Sequence, residues 1–240
     1  MSRATEPRAS SPTAPPLAPL AHTAALVAVM LAVAVTGTLL QHAGAPVEAH
    51  PAAEGGLGPR ILRQYLPLLL VNGLLVLYVA RLFRPRNVLP ELLGRRWQTP
   101  ADVGVDLLYA SLGFVLICAV ETLTRPLFAG RNAAVSALLP STGAERLTWL
   151  LVASVVGFCE EVVFRGYLQT QLGALTRRPV LGLLLQALLF GLAHLEQGAA
   201  AASRVGIYGL ILGVLARHRA SLLPGIACHV AIDLVSGLQR

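Results

Sequence analysis

The chain has 240 residues, of which 55% are hydrophobic and only 13% are charged, and its mean hydropathy is +0.66. Such a composition leaves too little polar surface to cover a water-soluble globule of this size, so we expect the protein to lie in a bilayer. The formal net charge of +7 then concerns orientation in a membrane, and no nucleic-acid partner is predicted.

The first 21 residues are rich in proline, serine, threonine and alanine. Their five prolines are Pro7, Pro12, Pro15, Pro16 and Pro19. Because this composition neither propagates a helix nor buries much apolar surface, residues 1–21 are predicted to be a disordered tail. The apolar run that follows has about 17 residues, longer than the hydrophobic region of a signal peptide, and is interpreted as a retained membrane anchor.

A membrane-spanning helix needs about 20 mostly apolar residues, and seven windows approach this length. They are Ala24–Leu40, Ile61–Phe83, Val103–Leu123, Leu147–Thr170, Pro179–Leu195, Val205–Ala216 and Leu222–Leu238. Few polar residues separate the windows after Pro179, so the number of spans is six to eight. The predicted fold is all-α, a polytopic transmembrane helix bundle with about seven spans.

The arginines indicate the orientation of that bundle. With seven spans, eleven arginines lie on the same side of the membrane as the N-terminus, and seven lie on the opposite side. The eleven are Arg3, Arg8, Arg81, Arg84, Arg86, Arg95, Arg96, Arg177, Arg178, Arg217 and Arg219; the seven are Arg60, Arg63, Arg125, Arg131, Arg146, Arg204 and Arg240. By the positive-inside rule the N-terminus is cytoplasmic, and the protein is expected to be a multi-pass protein of the plasma (inner) membrane.

Three ionisable residues interrupt the fourth window, in the stretch GFCEEVVFRGYL. A charged residue at the centre of a membrane helix costs about 2.5–3.5 kcal/mol on insertion scales and usually marks function. Glu161 and Arg165 are four residues apart with the acid first, which favours an ion pair on one helix face. Glu160 lies about 100° around the helix from Glu161 and is left without a local counter-ion.

Partners for Glu160 are expected on later spans. Phe190 and His194 share a helix face in the fifth window, and His229 and Asp233 share one in the seventh. A lone histidine in an apolar helix is more often an interhelical hydrogen-bonding residue. Here, however, several ionisable residues lie in apolar windows, each at a cost in free energy. We therefore predict that Glu160, His194, His229 and Asp233 converge in the core.

The depths in the membrane that the windows predict for Glu160, His194 and His229 differ. At 1.5 Å per residue, Glu160 lies roughly 18 Å and His194 about 22 Å from the cytoplasmic ends of their windows, whereas His229 lies only about 10 Å into the last one. Convergence therefore requires tilted helices, a kink near Pro224, or window boundaries that shift by several residues.

The patterns EExxxR (Glu160 to Arg165), FxxxH (Phe190 to His194) and HxxxN/D (His229 to Asp233), in this order, resemble the CPBP family of intramembrane proteases. That family includes type II CAAX prenyl endopeptidases and bacteriocin-processing or immunity proteins. The resemblance covers roughly Val152–Leu238 and implies a catalytic transmembrane core at residues 146–240. Residues 22–145 are predicted to form transmembrane helices without recognisable motifs.

Peptide-bond hydrolysis requires an activated water, a stabilised oxyanion and a protonated leaving amine. Glu160 is suited to activate water held with His194, while His229 and Asp233 orient the scissile carbonyl or stabilise its oxyanion. Glu161, Arg165 and Phe190 support these groups. In a metal-dependent version His194 and His229 would ligate zinc. The HExxH zinc motif is absent, and the sequence leaves open whether the enzyme is glutamic-type or zinc-dependent.

Two other classes remain open. A proton-coupled transporter also carries mid-membrane Glu, His and Asp, but it usually has two related halves, whereas every motif here lies in the second half. A non-catalytic immunity or scaffold protein would keep the fold without the chemistry. For a protease, the expected substrate is a membrane-anchored, lipidated or hydrophobic-tailed protein or peptide.

Overall fold

The computed structural model describes residues 15–42, 57–82, 88–127 and 138–238, and within these ranges the chain is helical and contains no β-strand. The predicted all-α class is confirmed. The first 14 residues of the predicted tail lie outside the described residues. The helices are α1 (Leu20–His42), α2 (Leu57–Arg60), α3 (Leu66–Leu82), α4 (Val88–Leu93), α5 (Pro100–Thr124), α6 (Gly143–Glu160), α7 (Gln169–Thr176), α8 (Pro179–Leu192), α9 (Ala199–Arg219) and α10 (Leu223–Leu238).

Four shorter segments connect some of these helices. The π-helical segment Ile61–Tyr65 joins α2 to α3, and a second one, Glu161–Leu168, joins α6 to α7. The 3₁₀ turn Arg125–Leu127 follows α5, and another, Leu195–Gln197, separates α8 from α9. Through the second π segment, α6 and α7 form one continuous helix over Gly143–Thr176, called the central helix below.

Five of the described helices are long and apolar enough to cross a membrane, and the protein is a multi-pass membrane protein. They are Leu20–Leu40, Ile61–Leu82, Pro100–Thr124, Gly143–Thr176 and Ala199–Arg219. Two shorter apolar helices, Pro179–Leu192 and Leu223–Leu238, account for the other two predicted windows. In the central helix 56% of the apolar window is buried, against 17–33% in the other four, so the remaining helices pack around it.

The beginning of α1 is tied to the central helix by buried hydrogen bonds. The side-chain oxygen of Gln171 accepts from the backbone amides of Leu17 (2.6 Å) and Ala18 (3.2 Å). Its amide nitrogen donates to the Ala18 carbonyl (2.6 Å) and to the Thr23 hydroxyl (3.0 Å). Thr23 also shares a 2.9 Å hydrogen bond with the hydroxyl of Tyr167. The first helix is therefore part of the bundle rather than a separate anchor.

The junction between α4 and α5 lies against the junction between α9 and α10. The Arg95 amide donates to the Ala220 carbonyl (2.7 Å), and the Leu222 amide donates to the Leu93 carbonyl (2.9 Å). Ala220 has a left-handed conformation with φ 49°, which ends α9 and reverses the chain. Arginines on both junctions are thereby brought to one end of the bundle, as the predicted topology requires.

The apparent mismatch in depth is resolved by where α10 begins. A Cβ atom on Gly166 of the central helix would lie 3.2 Å from Leu222 Cδ1, so the chain enters α10 only about 8 Å along that helix from Glu161. Pro224 lies in the first turn of α10, where proline is well tolerated, and causes no kink. The helix Leu223–Leu238 keeps almost the predicted boundaries, and His229 reaches the level of the glutamates because α10 begins part-way along the central helix, beside Gly166.

Glycines allow α8 to pack closely against its neighbours. A Cβ on Gly182 would lie 2.5 Å from both the Gln169 carbonyl oxygen and the Gly173 amide nitrogen of α7. A Cβ on Gly213 of α9 would lie 2.5 Å from Leu183 Cδ1. Helices in a bilayer associate mainly through such packing, because lipid is as apolar as their side chains.

We expect Gly182→Ala to destabilise the protein, because the added methyl group would overlap backbone atoms that cannot rotate away. Overpacking of this kind costs about 1–3 kcal/mol, so the midpoint of thermal unfolding in detergent should fall clearly. Gly104→Ala in α5 is the matched control, since no atom lies within 4 Å of a Cβ at that position. Equal midpoints for the two variants would contradict the close packing of α7 and α8.

Candidate active site

The central helix changes its hydrogen-bonding pattern where the first motif begins. Glu160 is the last residue of α6, and Glu161 begins a π-helical segment whose eight residues are all buried. The Glu161 amide donates to the carbonyls of both Gly157 and Phe158 at this change. Short π segments occur frequently at functional sites. This feature was not predicted, because the residues of the stretch fit an ordinary α-helix equally well.

Glu161 and Arg165 form the predicted ion pair. Arg165 Nη1 lies 2.8 Å from Glu161 Oε1, and neither side chain is exposed. None of the guanidinium nitrogens makes a well-aligned hydrogen bond to a described residue. Electrostatic attraction to Glu161 and stacking, rather than a set of directed bonds, therefore holds the charge of Arg165 inside the bundle.

The stacking partner is Phe190. The guanidinium carbon of Arg165 lies 4.1 Å from the centroid of the Phe190 ring, a distance that suits a cation–π contact. The same ring packs edge-on against His194 (4.8 Å between centroids) and His229 (5.9 Å). The predicted supporting role of Phe190 thus corresponds to a position between the ion pair and both imidazoles.

Glu161 also fixes the orientation of His229. His229 Nδ1 lies 2.9 Å from Glu161 Oε1. Because an ionised carboxylate only accepts hydrogen bonds, Nδ1 carries the proton and Nε2 faces away from Glu161. The second oxygen, Oε2, lies beside the first turn of α10, 2.9 Å from where a Cβ on Gly225 would be. The positive end of the α10 dipole stabilises a negative charge there.

The structure brings all four predicted catalytic residues together. Glu160 Oε2 lies 3.6 Å from His229 Nε2 and 3.9 Å from His194 Nε2, and Asp233 Oδ2 lies 3.8 Å from His229 Nε2. His194 Nδ1 lies 2.8 Å from the carbonyl of Phe190, to which it donates, so in a neutral ring Nε2 is an acceptor. These separations are too long for direct hydrogen bonds, and they leave the Glu160 carboxylate and both Nε2 atoms close enough to bind one water that lies beside them.

The site is recessed but not sealed. The exposed fraction of the side chain is 10% for His229, 13% for Glu160, 19% for His194 and 30% for Asp233. Exposure thus increases from His229 towards Asp233, which lies at the open side of the cluster. A peptide reaching Glu160 from that side would pass Asp233 first.

The donors facing one another include two imidazole nitrogens and two carboxylates, a set that zinc accepts. In the ranges that the structure describes, however, no group of three or more His, Cys, Asp or Glu residues is arranged to hold a metal ion. The zinc-dependent alternative therefore stays a prediction.

Two positions that hold α10 in place were missed by sequence reasoning. Trp149 Nε1 donates to the Asp233 carbonyl (2.9 Å), and a Cβ on Gly237 would lie 2.2 Å from that nitrogen. A Cβ on Gly157 would lie 3.0 Å from Val230 Cγ2. These contacts join residues far apart in the chain, so no local pattern signals them. They fix α10 against α6 and thus the side chains of both its motif residues.

Residues 142–235 match a protein-family model described as Type II CAAX prenyl endopeptidase Rce1-like. The chain has no match among the curated proteins and none among the solved structures. The matched segment contains every candidate residue described above and confirms, over that range, the resemblance to the CPBP family.

We expect Arg165→Ala to lower the yield of folded protein, because it leaves the charge of Glu161 buried without its partner. Breaking a buried pair in this way costs about 3–5 kcal/mol. Replacing both partners, Glu161→Gln with Arg165→Met, should recover part of the loss in thermal unfolding. Arg96→Ala, at an exposed arginine, is the control. An Arg165→Ala protein that is as stable as the wild type but inactive would instead place Arg165 in substrate binding.

Proposed function

We propose that the protein is an intramembrane endopeptidase in which Glu160 activates the attacking water. The observation that carries this proposal is the position of Glu160 Oε2, which faces His194 Nε2 at 3.9 Å and His229 Nε2 at 3.6 Å. The three residues come from the central helix, the turn after α8 and α10, within a segment that matches a family of proteases. If His194 only stabilised the fold, through the bond of its Nδ1 to the Phe190 carbonyl, no carboxylate would be needed opposite its Nε2.

In this proposal the water lies between Glu160 and His194. It donates one hydrogen bond to the Glu160 carboxylate and one to His194 Nε2, which is the acceptor because Nδ1 donates to the Phe190 carbonyl. As the water oxygen attacks the scissile carbonyl carbon, its proton moves to Glu160. A general base of this kind contributes about 10²–10⁴-fold to the rate.

His229 then stabilises the oxyanion. With Nδ1–H held by Glu161, a protonated Nε2 donates to the oxygen that becomes negative in the tetrahedral intermediate. The Asp233 carboxylate, 3.8 Å from Nε2, balances the charge of the imidazolium and keeps its ring aligned. When the C–N bond breaks, Glu160 returns its proton to the leaving amine and regains its charge.

The catalytic unit in this proposal is residues 146–240, with residues 22–145 supplying transmembrane helices that surround it. The arginines gathered at the α4–α5 and α9–α10 junctions support a cytoplasmic N-terminus, by the positive-inside rule. The proposed location is the plasma (inner) membrane. Glu160 then lies about 24 Å along the central helix from its cytoplasmic end at Thr176.

A site at this depth favours a substrate that arrives from the bilayer. We propose a membrane-associated protein or peptide cut near its C-terminal tail, with the tail hydrophobic or lipidated. A helical substrate must unwind near the cut, because its carbonyls are otherwise engaged in the helix. The match to a CAAX-type family supports including prenylated tails among the candidates.

The central prediction concerns Glu160→Gln, which keeps the shape of the side chain and removes the base. We expect wild-type protein in liposomes to cleave members of a library of hydrophobic and lipidated C-terminal peptides, and the variant to retain about 1% of that activity or less. The amount of folded protein should be unchanged, since Glu160 is not part of the buried ion pair.

Glu121→Gln, at a largely exposed glutamate of α5, is the control and should cleave normally. Retention of more than about a tenth of the activity by Glu160→Gln would rule out a general base there. Absence of cleavage by the wild type across the library, together with proton flux into the liposomes, would favour a transporter instead.

A second prediction separates the glutamic-type mechanism from the zinc-dependent one. Because the proposed water is held by Glu160 and His194 alone, dialysis against a strong zinc chelator should leave the cleavage rate within about twofold. The metal content of the purified protein is measured alongside. Activity that disappears on chelation and returns with zinc, but not with magnesium, would make His194 and His229 metal ligands.

A further inference from the structure

The first helix touches the turn that carries His194, although α1 lies outside the segment that matches the protease family. A Cβ on Gly37 of α1 would lie 3.1 Å from Glu196 Cβ and 3.7 Å from Glu196 Cγ. The first distance is shorter than side chains normally tolerate. A side chain at position 37 would therefore require Glu196 or α1 to move by a few tenths of an ångström.

The turn itself is short and well defined. The Gln197 amide donates to the His194 carbonyl (2.9 Å), and the Gly198 amide donates to the Leu195 carbonyl (2.9 Å). Gly198 has φ 89°, a conformation that residues with side chains rarely adopt. With α8 before it and α9 after it, a displacement of Glu196 is transmitted to His194 two residues earlier.

Glu196 is held there by packing against α1 and by the interactions of its carboxylate with His194 and Gln197. Its Oε2 atom is buried and has no hydrogen-bond partner among the described residues. Its Cβ and Cγ atoms, in contrast, lie directly against the surface of α1 at Gly37. The position of the turn consequently depends on where α1 runs.

The path of α1 is in turn set by the helix that bears Glu160. Gln171 and Tyr167 bind the first turns of α1 through Ala18 and Thr23. From Thr23 to Gly37, α1 rises about 21 Å, and from Gln171 back to Glu160 the central helix rises about 17 Å. Gly37 and Glu160 are thus held at comparable depth, and each faces a residue of the turn, Glu196 and His194 respectively.

We propose that α1 is a structural part of the active site, with Gly37 and Glu196 as positioning residues that keep His194 opposite Glu160. The inference rests on the proposed endopeptidase function for its kinetic readout. It assigns a role in the reaction to α1, a helix that contains none of the three sequence motifs.

The first test is Gly37→Ala, measured with the substrate that the wild type cleaves best. The added methyl group should push the turn by a few tenths of an ångström, and misplacement of a catalytic group lowers kcat steeply. We expect kcat to fall about tenfold while KM changes less than about twofold, because the substrate-binding surface is untouched. Gly104→Ala, whose Cβ meets nothing within 4 Å, should have normal kinetics.

A double-mutant cycle shows whether the effect passes through Glu196. In a Glu196→Gly background the colliding Cβ is absent, so adding Gly37→Ala should change kcat less than about twofold. A Gly37→Ala effect of the same size in both backgrounds would overturn the role of Glu196.

A pair of cysteines tests the contact without relying on folding of the alanine variant. Cβ atoms in disulfides lie about 3.5–4.5 Å apart, so Gly37→Cys with Glu196→Cys should cross-link on mild oxidation in membranes. Gly104→Cys with Glu196→Cys, which places one thiol near the opposite end of the bundle, should not. The cross-linked enzyme should keep its kcat, because the bond fixes the arrangement seen here.

The outcomes separate this inference from the proposed function. If Glu160→Gln remained active, the proposed endopeptidase mechanism would be wrong. The cysteine cross-link would still test whether α1 contacts the turn. An inactive Glu160→Gln alongside a fully active Gly37→Ala would overturn the positioning role alone. Loss of kcat on cross-linking, with recovery on reduction, would overturn it too, because α1 would then have to leave the turn during the reaction.

Discussion

The carboxylate of Glu161 is the group on which the site depends. It binds Arg165 at 2.8 Å within the central helix and His229 at 2.9 Å on α10, and its side chain is fully buried. Removing one partner of such a pair leaves an uncompensated charge in a medium of low dielectric constant. The same oxygen that neutralises the arginine therefore also sets the tautomer of the imidazole facing Glu160.

This arrangement explains why two adjacent glutamates are needed. Both oxygens of Glu161 are engaged in structural contacts: Oε1 contacts Arg165 and His229, and Oε2 lies against Gly225. Glu160, one residue earlier, keeps its carboxylate beside two imidazole nitrogens and partly accessible. A single acidic residue could not hold the histidine and face it from the open side at once.

The sequence allowed the prediction of the helical class, the seven apolar segments, the Glu161–Arg165 pair and the convergence of Glu160, His194, His229 and Asp233. These follow from local spacing and from the cost of burying charge. The π-helical segment was not predictable, because its residues have no composition that distinguishes them from an α-helix. The start of α10 in the sequence was predicted to within one residue, but its depth beside the central helix was not, since that depends on contacts of Leu222 with Leu93 and Gly166.

The contribution of α1 illustrates a further limit. Gly37 is one small residue in an apolar helix, and only the three-dimensional approach to Glu196 distinguishes it from Gly73 or Gly104, which meet no atom within 4 Å. Spacing within one helix reports which residues share a face. It does not report which face meets which helix, and packing between distant segments decides that.

The hydrogen bonds between α1 and the central helix also constrain the order in which the protein can be assembled. Gln171 and Ala18 are 153 positions apart, so the ribosome adds more than 150 residues after Ala18 before this buried hydrogen bond can form. Until then Thr23 and the free amides at the start of α1 must be solvated by water or lipid headgroups. Nascent chains that end before Tyr167 can hold α1 through the contact of His22 with Tyr78 of α3, but they lack the buried hydrogen bonds that tie it to the central helix.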